Sequence, residues 1–385
     1  MRFGLWNAAA VGAVVMAASG PAHAGKYNVL YVFGSQANDA EMPLAGLTYS
    51  KGIFYGTTFV GGRNFHGAVF SLTPTGTEAV VHSFGKGDDG VQPMAGLIKV
   101  GGALYGTTWY GGADADGAVY SVTPGGSEKL LYSFTGAGDG AHPAADLLDV
   151  NGILYGATPE AAFSVTPTGT FALLHSFAGG SDGSDATSGL TNVNGTLYGT
   201  TSYGGSSACG AGCGTAYSLA LDGTETVIYA FQGGDDGAVP STTLINVGGT
   251  LYGTTRLGGS GNCNVGSIAG CGTVFSLNLA TGVETTIYSF QGGSDGANPA
   301  FNLTNVAGIF YGTTFHGGGT RCKSYGCGTV FSLTAGGTET ILHAFGKGSD
   351  GSEPDAGLIA VGHVLYGTTS AGGTLHGGTV FSIKP

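Results

Sequence analysis

A block that opens on Leu-Tyr-Gly-Thr-Thr and closes on Gly-Thr-Val-Phe-Ser-Leu, complete between Leu251 and Leu277, dominates the chain. Its Tyr-Gly-Thr-Thr core recurs at Tyr55, Tyr105, Tyr155 (as Tyr-Gly-Ala-Thr), Tyr198, Tyr252, Tyr311 and Tyr366, at spacings of 50, 50, 43, 54, 59 and 55 residues. Periods of this length mark a solenoid or a propeller, so one domain can account for most of the 385 residues. Glycine at 77 positions and proline at 12 approach the composition of a disordered chain. Periodicity argues otherwise, because the glycines punctuate short runs of Tyr, Phe, Val, Ile and Thr, which is strand composition.

Each copy parses into four strands. In the second, strand A is 95–100, B is 103–108, C is 118–123 and D is 128–134, with Gly101-Gly102 and Pro124-Gly125-Gly126 as tight turns. Four short antiparallel strands in about 50 residues make one propeller blade. Apolar residues on both faces of B, C and D agree, because neighbouring blades cover a blade on both sides. Six prolines (Pro43, Pro93, Pro143, Pro240, Pro299 and Pro354) stand just before strand A, where proline is tolerated.

The phase of the repeat at its ends points to a ring. The chain opens on an unpartnered strand D, 27–33, and closes after a strand C, 378–383. Seven copies of every strand exist only if the first D joins the last A, B and C, which also removes the open edges of a linear stack. The expected fold is therefore all-β, a seven-bladed β-propeller of four-stranded antiparallel blades closed by the N-terminal strand. An open β-solenoid would need terminal caps, and no cap is visible.

Leu-Tyr-Gly-Thr-Thr followed by Gly-Gly, Gly-Thr-Val-Phe-Ser-Leu and the Asp-Gly loop together resemble the bacterial GloVer tandem-repeat proteins, over residues 27–383. More loosely, hydrophobic runs ending in Gly-Gly, as at Gly111-Gly112, look like kelch repeats. The resemblance implies a propeller-like exported protein and transfers no catalytic residues.

Arg2, the apolar run from Ala8 to Ala18 and the exit Ala22-His23-Ala24 read as a signal peptide over 1–24, leaving 25–385 as the propeller. The run is too short to span a bilayer, so secretion to the periplasm or cell exterior is expected, without a membrane span. Loss of Arg2 leaves 11 basic against 24 acidic side chains, a formal charge of −13, which disfavours nucleic acid and anionic membranes.

Strand connectivity puts the long B-to-C and D-to-A connections on one face, where function belongs. The latter carry Asp39, Asp89, Asp139, Asp182, Asp236, Asp295 and Asp350 in an Asp-Gly motif. The motif reads as a turn in which Asp accepts backbone N–H groups; calcium is the alternative, though each loop offers only one or two carboxylates. No other cofactor is expected. Cys209 and Cys213, Cys263 and Cys271, and Cys322 and Cys327 fall pairwise in three consecutive B-to-C loops, and read as local disulfides in an exported chain. The Tyr and Thr residues of the core motif read as packing between blades.

The third copy breaks the pattern, its B-to-C connection shrinking to Pro159-Glu160-Ala161 beside three long, cysteine-bearing loops. A notch should result, bordered by Trp109, Tyr110, Asp114 and Asp116 on one side and Tyr203 on the other. Aromatics with carboxylates around a concavity suit a sugar or a cation. The expected function is a monomeric extracellular binding or structural module for a glycan or a protein partner. A hydrolase or lyase acting on polysaccharide is the alternative. Scarce charge on strand A, with Lys99 and Asp149 among the exceptions, favours binding over catalysis.

Overall fold

The structure, a computed structural model, describes residues 26–265, 268–299, 302–319, 322 and 325–385; the expected signal peptide lies outside the described residues. Seven antiparallel blades of order A-B-C-D are found among them. In the second, A is Ile98–Val100, B Ala103–Thr108, C Ala118–Val122 and D Glu128–Ser133. Strand A is thus half its expected length. Its first residues serve the neighbouring blade instead: the carbonyls of Ala95 and Leu97 accept the hydroxyls of Thr57, at 2.8 Å, and of Thr48.

The core motif explains how blades are joined. Gly253 lies opposite Phe275 across strands B and C, and a Cβ on Gly253 would stand 2.8 Å from both the Phe275 ring and Leu244. The glycine is the seat for the strand-C aromatic. The first threonine reaches forward to the next blade, as Thr313 does to the Ala356 carbonyl at 3.0 Å. The second pairs across its own blade, as Thr255 does with Thr273 at 2.8 Å. Each strand-C ring also receives the phenylalanine that ends strand D of the previous blade, edge-on at six blades and tilted at Tyr217. Phe84–Tyr120, Phe134–Phe163, Phe231–Phe275 and Phe290–Phe331 have centroids 4.9 to 5.2 Å apart. Such pairs contribute about 0.5–1.5 kcal/mol each beyond burial.

Closure follows the predicted route. Lys26–Val32 pairs antiparallel with Thr379–Lys384, from Lys26 opposite Lys384 to Val32 opposite Thr379. The stitches cross the seam unchanged: Thr368 donates to the Ala45 carbonyl at 3.1 Å, and Phe33 packs on Phe70 at 5.1 Å. Among the described residues no helix is long and apolar enough to cross a membrane.

Candidate functional site

On the loop-rich face the two long connections of each blade except the third bind one another. Gly90–Val91 pairs with Tyr110–Gly111, and Ala40–Glu41 with Val60–Gly61. This contact accounts for the Gly-Gly element: Gly111 has φ +83°, and a Cβ there would lie 2.7 Å from the Val91 amide nitrogen. No side chain fits.

The D-to-A connection then delivers one residue per blade in left-handed backbone: Met42, Gln92, His142, Asp185, Val239, Asn298 and Glu353, with φ between 55° and 64°. Each is clamped by the preceding blade. Its amide donates to Gly377, His66, Asp116, Pro159, Cys213, Cys271 or Cys327 in turn, at 2.7 to 3.0 Å. Its own blade holds several of the carbonyls, Trp109 N donating to Gln92 O at 3.1 Å and Ser202 N to Asp185 O at 3.0 Å. Left-handed backbone costs a non-glycine residue roughly 1–2 kcal/mol. In a chain with 77 glycines, none occupies these seven places.

All three disulfides form within their loops as expected, Cys209–Cys213, Cys263–Cys271 and Cys322–Cys327. The second cysteine of each is the buried acceptor of a clamp, so the bridges brace the backbone at Val239, Asn298 and Glu353.

The expected site residues are only partly brought together. Trp109 stacks on His142 with centroids 5.3 Å apart, and Tyr110 meets the same imidazole edge-on at 4.9 Å. His142 Nδ1 lies 2.9 Å from the Trp109 carbonyl. Tyr110 and Tyr203 are exposed, Tyr203 pairing its backbone with Ser184. Asp114 is exposed, whereas Asp116 is half-buried and serves the clamp of His142. A cavity of about 290 Å³ opens at the short blade-3 loop, but Glu160, Phe177 and the glycine-rich loop Gly136–Ala141 line it. None of the five residues expected at its border does.

A charged group lies between blades 5 and 7, where sequence reasoning did not place one. Burial pushes the Asp355 carboxyl up to about 7, with Arg256 opposing and Glu353 reinforcing the rise. His316, bonded through Nδ1 to Asn298 Oδ1 at 2.8 Å, is held below the usual imidazole range by burial and then by Arg256. Lys99 and Asp149, the charged exceptions on strand A, are not among the residues found lining the central channel. Its lining includes Gly46, Gly96, Asp146, Gly189, Thr243, Asn302 and Gly357, one residue per blade just before strand A. Asp149 instead caps the A-to-B turn, accepting the Gly152 amide at 3.0 Å. Asp146 accepts the Gly96 amide at 2.6 Å, and burial raises its pKa.

The Asp-Gly loops are turns. Asp89 accepts the amides of Gly85 and Lys86 at 2.8 Å, and Asp236 and Asp295 accept those of Gln232 and Gln291 at 2.6 Å. The second oxygen takes a Tyr or His on strand D: Tyr229 OH to Asp236 at 2.6 Å, His343 Nε2 to Asp350 at 3.0 Å. The sequence carried this signal as a constant seven-residue spacing from Tyr or His to Asp, which Asp39 alone breaks at eight.

The sequence matches the Gloeobacter/Verrucomicrobia repeat over residues 16–212 and 159–381. A search of curated proteins finds no match. Among solved structures the fold is similar to streptogramin B lyase, with TM-score 0.62 and 12% identity over 94% of this chain and 97% of that one. It is also similar to the extracellular domain of a protein described as a hybrid two-component system from B. thetaiotaomicron, with TM-score 0.60 and 10% identity over 92% of this chain and 39% of that one. The Neurospora crassa Pan2 WD40 domain gives TM-score 0.55 and 10% identity over 94% and 96%. At these identities the likeness is one of fold.

Proposed function

From a chain that belongs to the Gloeobacter/Verrucomicrobia repeat family, whose repeat here builds a closed propeller, we infer a secreted binding module that recognises its ligand on the loop-rich face. One observation carries this reading. Seven left-handed positions share one backbone clamp, and while Val239 and Asn298 are buried, Met42, Gln92, His142, Asp185 and Glu353 reach solvent in a conformation where glycine would relieve strain. Five different solvent-reaching side chains held at that cost are more than a scaffold alone requires. The stacked Trp109, His142 and Tyr110 supply an aromatic platform suited to a sugar ring, with Tyr203 and the exposed Phe65 and Tyr325 elsewhere on the loops. Export is supported by the signal-like N-terminus and by the three disulfides.

Asp355, Glu353, His316 and Arg256 favour a second reading, a polysaccharide hydrolase or lyase, because a carboxyl titrating near 7 suits general acid catalysis. A glycan array on the oxidised protein tests both. Binding that is lost in Trp109→Ala at unchanged melting temperature supports the module. Shortened products that disappear in Asp355→Asn support the enzyme. No bound glycan removes carbohydrate from consideration.

A further inference from the structure

Strand D of each blade brings one more side chain to the Asp-Gly loop of the blade before it. At five wedges this is a glutamate: Glu78, Glu128, Glu225, Glu284 and Glu339, each facing its partner on strand C in the same register. Phe171 and Tyr27 take the place at the other two.

Between blades 3 and 4 the residues that meet are His175 on strand D, Asp182 in the following loop and Glu225 on the next strand D. One ligand atom from each lies within 4.8 Å of the other two, and among the described residues this trio alone does so. His175 Nε2 is 3.0 Å from Asp182 Oδ1, while Asp182 Oδ2 is taken by the Ala178 amide at 2.6 Å. Glu225 Oε1 is closed off from solvent and makes no hydrogen bond. An imidazole nitrogen and two carboxylate oxygens, one of them partnerless, therefore converge from three separate segments.

We propose that His175, Asp182 and Glu225 form a binding site for a divalent transition-metal ion of the zinc class. One nitrogen and two oxygen donors are ligands that zinc accepts, and the ion's two positive charges balance the two carboxylates. The His and Asp side chains are each 22% exposed, which leaves the ion an entry path and a fourth position for water. Elsewhere the set is broken: Tyr31, Tyr229 and Tyr288 replace the nitrogen donor by a phenol, and Phe171 and Tyr27 remove the glutamate. His82, Asp89 and Glu128 repeat the residue types, but with His and Asp 3.2 Å apart and the three ligand atoms less closely gathered. An ion at the first site would tie blade 3, which lacks the long B-to-C loop, to blade 4.

The test uses untagged, oxidised, full-length protein treated with EDTA and dialysed. Titration with ZnCl2 near neutral pH is expected to show one equivalent bound, with a melting temperature that rises with free zinc. Glu225→Gln and His175→Gln should each weaken binding by roughly 100-fold, and His82→Gln should leave it unchanged. Cobalt(II) titrated into the wild-type protein gives a readout independent of any variant, an absorption band in the visible range. Zinc that fails to bind the wild-type protein overturns the proposal. Binding that survives both Glu225→Gln and His175→Gln, or that is lost equally in His82→Gln, overturns it as well.

Discussion

The glutamate wedges make stability depend on pH, and Glu284 is the place to measure it. Tyr229 and the Gln232 amide both donate to the Asp236 carboxylate at 2.6 Å. Glu284 stands beside that anion with Oε1 shielded and unpaired. Burial first, and Asp236 second, push its carboxyl up from 4.5 to about 8. The folded state therefore holds a proton that the unfolded chain releases. The stability this represents is complete below pH 4.5, falls as pH rises, and is lost once pH passes about 8. At about 1.4 kcal/mol per pH unit the whole displacement would amount to about 5 kcal/mol. Glu284 is only half-buried, and solvent screening reduces the effect to about 1–2 kcal/mol.

Glu284→Gln imitates the protonated side chain at every pH. Its melting temperature should match the wild type at pH 4.5 and exceed it at pH 9 by about 2–4 °C, the shift that about 1–2 kcal/mol produces in a large domain. Calorimetry at one scan rate across that range measures the difference. A variant that is equally stabilised at both ends, or destabilised at pH 9, would refute the argument. Glu78 and Glu339, each pushed up to about 7 by burial and then by Asp39 or Asp295, should behave alike with a smaller effect.

Three further outcomes follow from the packing. Gly253→Ala should lower stability by about 1–3 kcal/mol in denaturant titration, because the new methyl meets Phe275 and Leu244 at 2.8 Å. Reduction of the disulfides should lower the melting temperature, each bridge contributing about 2–3 kcal/mol for loops of four to eight residues; peptide mapping without reduction should find Cys209 with Cys213. Deleting 25–34 should expose the edge of Thr379–Lys384 and drive association visible in light scattering, so a monomeric deletion variant with unchanged melting would count against closure.

What the sequence disclosed and what it hid divide along a physical line. Strand count, ring closure, cysteine pairing and the packing role of Tyr-Gly-Thr-Thr were legible because each depends on periodic residues whose local preference agrees with the fold. The Glu wedges were not, because Glu225 and Asp182 lie 43 residues apart and only the ring brings consecutive blades into contact. The left-handed ring was hidden more deeply. Six of its seven members precede proline, where an extended backbone is expected, and Met42, Gln92 and Val239 carry no sign of positive φ. Their conformation comes from the clamp: the amide is held by the preceding blade, so the residue can turn only as that contact allows. If the strain is retained for the side chains, Met42→Gly should leave melting unchanged or raise it slightly, since Met42 is exposed and glycine relieves roughly 1 kcal/mol at such a site. A marked loss of stability in Met42→Gly would instead assign the side chain to the scaffold, and the argument from the solvent-reaching members of the ring would lose its premise.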